Sequence, residues 1–293
     1  MEPEVVILKP AELILKSKGV RKQFEQRLLF NVKACLKQNE IEFDQIIRGQ
    51  GRYFIYTPEP EEAISKVKDI FGIANLCAAA QVGANIDTIN KSIYDLAKDL
   101  GINSKTTFGI RATILSNSMS SRDVEKAVGA FIQEKTKAKV NLTKPNFWLR
   151  VEVIDKKAFV YSDIIEGLSG LPLGTSGKAI ALMSENQQDI LAAWLIMKRG
   201  CEILPIHIRS NEKELNQFQK NIKKLERFAW GSRVKPVSVK DKKDLKKWVE
   251  QTKAKAYVFG DTEVKLRKED LPVFTPLVGL DKKELKKLEK TVF

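Results

Sequence analysis

Six consecutive residues, Ser184-Glu185-Asn186-Gln187-Gln188-Asp189, stand where this chain would hold a nucleotide phosphate. They follow an apolar run of strand length, Lys178 to Met183, and lead into Asp189 to Arg199, which carries apolar residues over three helical turns. A loop from strand to helix binds phosphate when free helix N–H groups point at it and glycine lets the anion approach. This loop has no glycine, and Glu185 puts a carboxylate beside the phosphate position. Ser184 and Gln187 are spaced as a capping box, so the helix start is expected to close on itself. Neighbouring GTSGK is not a Walker motif, which would need glycine at Pro172 and a hydroxyl residue at Ala179. Three other groups have reactive chemistry. Cys201 opens a strand, and a reactive thiolate there would need exposure and a lowered pKa. His207 is the single histidine and has no acid partner in the sequence pattern, which suits a structural or RNA-contact role. Asp189 and Asp261 are isolated carboxylates, better suited to capping a helix or turn than to holding magnesium.

The element that positions the loop is a β-α-β unit. Lys198 and Arg199 suit a helix C-terminus, Gly200 stops the helix, and Glu202 to Ile208 returns as a strand. Beyond it the pattern predicts a helix at about Glu212 to Ala229, a strand at Val234 to Val239, a helix begun by Asp241 and a strand at Ala256 to Phe259. A last helix starts at Asp281, with Glu284 as its capping-box partner. This alternation implies a doubly wound, mostly parallel α/β sheet. Upstream, Val5 to Lys9, Val20 to Gln38, Phe43 to Ile47, Tyr53 to Tyr56, Glu61 to Ile70 and Asn75 to Val82 read β-α-β-β-α-β, the ferredoxin-like order, with a turn over Arg48 to Arg52. Between these parts lie a strand at Phe108 to Leu115, a helix at Ser121 to Lys137, and strands at Phe147 to Val153 and Ala158 to Tyr161.

The residues from Ser184 through Ala192, Ala193, Trp194, Met197, Lys198, Arg199 and Gly200 resemble the PP-loop segment of the tRNA 4-thiouridine synthetases (tRNA sulfurtransferases), and GLPLGTSGK resembles that family's linker. ELILKSKGVRKQFE, GQGRYFIY and FGIANL resemble its N-terminal domain, VNLTKPNFWLRVEVIDKKAFVYSD its THUMP domain, and LPVFTPLVGLDKKEL its closing segment. The resemblance implies a ferredoxin-like domain over residues 1–59, extending to about 75, a THUMP domain over 60–168, and a degenerate PP-loop-like α/β domain over 175–293. The family's loop reads SGG-x-DS. Here Glu185 and Asn186 replace the glycines, Gln188 the aspartate and Asp189 the serine. The family's catalytic domain is longer between His207 and Pro272, and no cysteine follows Cys201 to carry a persulfide. The expectation is therefore a tRNA-binding protein with no catalytic residues and no cofactor, ATP and magnesium entering only if the loop still functions. Two alternatives stay open: an ATP-dependent thiolation enzyme taking sulfur from a partner, and a subunit delivering tRNA to another modification enzyme.

Charge agrees with a nucleic-acid partner. The net charge of the chain is +14, and residues 174–293 hold 26 Lys and Arg against 16 Asp and Glu. The family resemblance directs attention to the tRNA acceptor end. Candidate RNA contacts are Lys16, Lys18 and Arg21 before and in the first long helix, Arg48 and Arg52 in the glycine-rich turn, and Arg111, Arg122, Lys126, Lys144 and Arg150 in the THUMP-like part, with Tyr53 or Trp148 to stack on a base. The three scattered cysteines fit neither a disulfide framework nor a zinc site. No leader or membrane span is seen, so a cytoplasmic protein is expected, with a homodimer as one assembly.

Overall fold

The computed structural model describes residues 2–11, 17–115, 119–208 and 212–293. They form two compact units. The first takes Met1–Lys9, Glu40–Lys68 and Asn75–Glu166, and the second takes Pro10–Asn39, Asp69–Ala74 and Gly167–Phe293. Among the described residues no helix is long and apolar enough to cross a membrane.

The chain begins with β1 (Val5–Pro10), α1 (Lys18–Gln38), β2 (Gln45–Gly49), β3 (Arg52–Tyr56), α2 (Pro60–Val67) and β4 (Ile73–Gly83), and the four strands lie in the ferredoxin-like order β2-β3-β1-β4. The sheet continues past β4 through α3 (Ile86–Asp99), β5 (Thr107–Ile114), α4 (Ser121–Thr136), β6 (Lys139–Val140), β7 (Phe147–Ile154), β8 (Lys157–Tyr161) and β9 (Ile165–Glu166), its order extending as β4-β8-β7-β5-β6 with β9 also on β4. Gly49 pairs with Arg52, so the turn is only Gln50-Gly51, and Arg48 and Arg52 belong to strands rather than to the turn expected from sequence. The helix α3 has no counterpart in the sequence reading above. Its signals are nonetheless ordinary: the Asn85 side chain accepts from the Thr88 N–H at 2.9 Å, and Ile89, Ile93 and Ala97 follow at spacings of four on the buried face.

Strand β7 shows how one face of this sheet is filled. Leu149, Val151 and Val153 join Ile110, Phe108, Ile93, Val128 and Ile132 in one core beneath α3 and α4. Each such side chain contributes about 1.5–3 kcal/mol by leaving water. The alternate residues Trp148, Arg150 and Glu152 fall on the other face.

The second unit holds the five-stranded sheet, with β10 (Lys178–Leu182), α5 (Gln187–Lys198), β11 (Glu202–Ile208), α6 (Glu212–Glu226), β12 (Val237–Val239), α7 (Lys242–Thr252), β13 (Tyr257–Val258), β14 (Val273–Phe274) and α8 (Lys282–Val292). The order is β12-β11-β10-β13-β14 and every pairing is parallel. Strand order reverses at β10, which leaves a crevice at its C-terminal end, where the Ser184–Asp189 loop lies. Phe71, Trp194 and Phe228 pack ring on ring at centroid distances of 5.3–5.9 Å in the core beside α5. From α1, Arg27 Nε donates to the Leu173 carbonyl and Nη2 to Ser232 Oγ, both at 2.7 Å, tying the helix to this core.

Candidate nucleic-acid interface and altered nucleotide loop

The helix α5 begins at Gln187 with Asn186 as its N-cap, and the Asn186 side chain makes no capping bond. The Ser184–Gln187 capping box expected from sequence does not form, because Ser184 lies two residues ahead of the cap and Gln187 is the first helical residue rather than the third. Asp189 takes the role instead. Its Oδ2 accepts from the Ser184 N–H at 2.8 Å and the Ser184 hydroxyl at 2.7 Å, while Ser184 Oγ accepts from the Asn186 N–H at 3.2 Å. A carboxylate in the first helical turn is favoured by the helix dipole and makes strong charge-assisted bonds. Gly260, just after β13, presses on the same turn: a Cβ there would stand 2.5 Å from Asp189 Oδ1.

The crevice at this loop measures about 430 Å³, and Phe259, Asp261 and Arg267 line its far side. Arg267 lies 3.8 Å from the Phe259 ring centroid and holds Asp261 Oδ2 at 2.7 Å, with Lys265 on Oδ1 at 2.7 Å. Burial alone would raise the Asp261 pKa, but the hydrogen bonds from Lys265 and Arg267 win and hold it below the usual carboxylate value. Two loop N–H donors are engaged within the loop, a carboxylate stands at the helix N-terminus, and the cation facing the crevice is neutralised by Asp261. Among the described residues no group of three or more His, Cys, Asp and Glu is placed to hold a metal ion.

His207 is buried, with Nδ1 3.1 Å from the Met183 carbonyl and the ring stacked on Phe218 at 5.2 Å. A carbonyl only accepts, so Nδ1 carries the proton. The ring is a packing element, and burial removes it from the RNA contacts that sequence left open. Cys201 points its Sγ at the Ser176 carbonyl at 3.5 Å, and burial raises its pKa, away from thiolate chemistry.

In the first unit, Arg122 and Lys126 flank one sheet edge and Arg111 lies on its edge strand. Strand β6 covers only Thr107 and Phe108 of β5, so the rest of β5 is an edge. Glu125 of α4 blunts it by accepting from the Ala112 N–H at 3.0 Å. Along this edge runs a groove of about 420 Å³ between α4 and the segment after β6, with Ile110, Gly129, Val140 and Leu142 as apolar lining and Arg122 and Lys126 as cations. On the other face, Arg111 and Arg150 are paired in register on β5 and β7, their guanidinium carbons 4.8 and 5.4 Å from the Trp148 ring centroid. Gly109 makes room for that ring, since a Cβ there would meet it at 2.6 Å. Arg150 Nη1 donates to the Ser162 carbonyl at 3.2 Å; burial, and to a lesser degree the neighbouring Arg111 charge, lowers its pKa. Arg111 Nη2 reaches the Leu142 carbonyl at 3.5 Å. Lys144, exposed, lies two residues on, in a loop folded around Asn141, whose Oδ1 accepts from the Thr143 and Lys144 N–H groups at 3.0 Å.

The remaining candidates lie elsewhere. Arg52 pairs with buried Glu152, which also holds Lys9 Nζ at 3.1 Å. Arg48 is exposed on β2, Lys18 is exposed at the start of α1, and Arg21 pairs with Glu25 at 2.9 Å. Lys16 lies outside the described residues. Tyr53 is buried and unavailable for stacking. The groove residues Val140, Leu142 and Glu125 escaped sequence reading because no periodicity links a short edge strand to the helix beside it.

Comparison with known proteins agrees with this order of parts. The ThiI ferredoxin-like domain model matches residues 5–77, the THUMP domain model 83–163, and the model described as thiamine biosynthesis protein (ThiI) 174–259. These parts define a THUMP-domain protein with a ferredoxin-like start and a parallel α/β third part. A probable tRNA sulfurtransferase of Thermococcus kodakarensis is 29% identical over 98% of this chain and 87% of its own length, and one of Methanosarcina mazei is 33% identical over 85% and 64%. Among solved structures, PH1313 from Pyrococcus horikoshii superposes with a TM-score of 0.89 at 26% identity, covering 98% of this chain and 99% of its own. A 4-thiouridine synthetase in complex with RNA and bound ATP superposes at 0.82 and 25% identity, covering 99% and 85%. The chain belongs to the tRNA sulfurtransferase (4-thiouridine synthetase) family.

Proposed function

We propose that this protein binds tRNA through the basic edge of its THUMP domain and does not carry out ATP-dependent sulfur transfer. For binding, the support is Arg122 and Lys126 in the groove at the β5 edge, with Arg111 and Arg150 on the other face of the same sheet, joined to the RNA-bound state of a related synthetase. The apolar groove suits an unpaired base while the guanidinium groups suit the phosphates beside it, as for a single-stranded acceptor end. For the loss of catalysis, the single observation that carries the reading is the Asp189 carboxylate bonded to the Ser184 N–H and hydroxyl at 2.8 and 2.7 Å. An anion already belongs to the protein where a nucleotide phosphate would have to come.

Titration calorimetry with Mg-ATP, on the protein alone and with tRNA bound, tests this directly. No heat of binding is expected in either state. Saturable micromolar binding, about −8 kcal/mol, would overturn the reading. In that case a tRNA sulfurtransferase, the activity in the relatives' names, takes over as the reading, here as an ATP-dependent thiolation enzyme drawing its sulfur from a partner.

A further inference from the structure

In the second unit the C-terminal ends of α6 and α8 meet. Arg227, one residue past α6, donates from Nη2 to the Thr291 carbonyl at 2.8 Å, and Lys224 Nζ lies 4.3 Å from the Phe293 ring centroid. Phe218, Ile222 and Leu225 of α6 and Leu285, Leu288 and Val292 of α8 pack into one core. That orientation leaves Lys220 and Lys223 exposed on α6 and Lys283, Lys286, Lys287 and Lys290 exposed on α8. Over Glu212–Arg227 and Lys282–Lys290 stand ten Lys and Arg against five Glu, and one of those five, Glu284, is held in the capping box with Asp281. Among the described residues, none of these exposed lysines is in an ion pair.

A lysine-rich helix is ordinarily a solvated face. Two features set this one apart. Lys220, Lys223 and Arg227, and Lys283, Lys287 and Lys290, follow one another at spacings of three or four, where like charges face each other and destabilise a helix. The Arg227–Thr291 bond then brings two self-repelling faces to a common end. A polyanion relieves that repulsion. Of the large apolar side chains exposed in the described part, only Phe293 lies at these helices, so the anchors a protein partner needs are missing. Lysine is a flexible point charge without a planar fork, suited to backbone phosphates rather than to base edges.

We infer that the adjoining basic ends of α6 and α8 are a second RNA-contact surface, one that grips the sugar–phosphate backbone without reading sequence. The inference rests on the tRNA-binding reading above and extends it to the second unit. The test is the salt dependence of binding to an unmodified tRNA transcript, measured by fluorescence anisotropy from low to moderate salt. The variants are K223Q/K287Q/K290Q, its charge-conserving counterpart K223R/K287R/K290R, and R111E/R150E. Lys224 and Arg227, which join the helices, stay untouched. The neutral triple variant is expected to melt like the parent and to lower the magnitude of the log K against log salt slope by about 2–3, near one per lysine removed. The arginine triple variant is expected to keep the parental slope. If the parent binds and the neutral variant keeps its slope, this inference is overturned while the tRNA-binding reading survives. If the neutral variant loses slope while R111E/R150E does not, this surface stands and the THUMP placement falls. If the parent binds no tRNA, both fall.

Discussion

Asp189 and Asp261 are two carboxylates in one crevice with different tasks. Asp189 holds the loop, so Asp189→Asn exchanges charge-assisted hydrogen bonds for neutral ones, and a stability loss of about 1–2 kcal/mol is expected in urea titrations. Asp261 holds Arg267 and Lys265, and its folded-state pKa lies below the usual carboxylate value. The sign follows from linkage: the folded state favours the ionised form, so the contribution is full above the ordinary carboxylate range and is lost as pH falls through the depressed value. The urea midpoints of the parent and Asp261→Asn are therefore expected to differ at neutral pH and to converge in acid. A difference that persisted unchanged into acid would remove the ion pairs as its cause. In the THUMP domain, R111E/R150E places two negative charges beside Trp148. Weaker tRNA binding and a flatter salt dependence are expected, visible in the anisotropy series described above. Unchanged affinity would show that the two guanidinium groups only cover the Trp148 face.

At the scale of elements, packing decides more than local pattern does. The ring cluster of Phe71, Trp194 and Phe228 fixes α5 against its core, and Phe71→Ala is expected to cost about 3–5 kcal/mol by calorimetric or urea unfolding. The parallel sheet, the ferredoxin-like order and the capping box at Asp281 were legible because alternation, helical spacing and Ser/Asp caps are short-range signals. Register at a helix start was not. Ser184 and Gln187 have capping-box spacing, yet the helix begins one residue after Asn186, where Asp189 bonds back to Ser184 and Gly260 packs on the first turn from outside the segment. The edge groove was illegible for a related reason. It depends on β6 ending at Val140, and nothing local to Lys139-Val140 says that β5 continues alone beyond it. Arg52 shows the same limit for charge: in sequence it is an exposed turn arginine, whereas the fold brings β3 and β7, strands that are not neighbours in the sheet, close enough for it to pair with Glu152, a carboxylate with a fully buried side chain.

For the whole molecule, the net charge of +14 is a statement about partners rather than about fold. Family membership and the matched order of three domains account for the architecture, and the altered loop accounts for the proposed loss of chemistry within it. The loop also constrains how such a protein could change. Glycines at positions 185 and 186 would open the backbone, yet Asp189 would still occupy the Ser184 N–H and hydroxyl, leaving no donor gained. A serine at position 189 alone would release those donors into a loop still obstructed by Glu185 and Asn186. Glycines at 185 and 186 thus free no donor, and a change at 189 alone loses the two Asp189 bonds without opening the backbone. On the proposed reading the two kinds of substitution are therefore epistatic: nucleotide binding would need the glycines and the change at 189 together, and neither alone would bring it about.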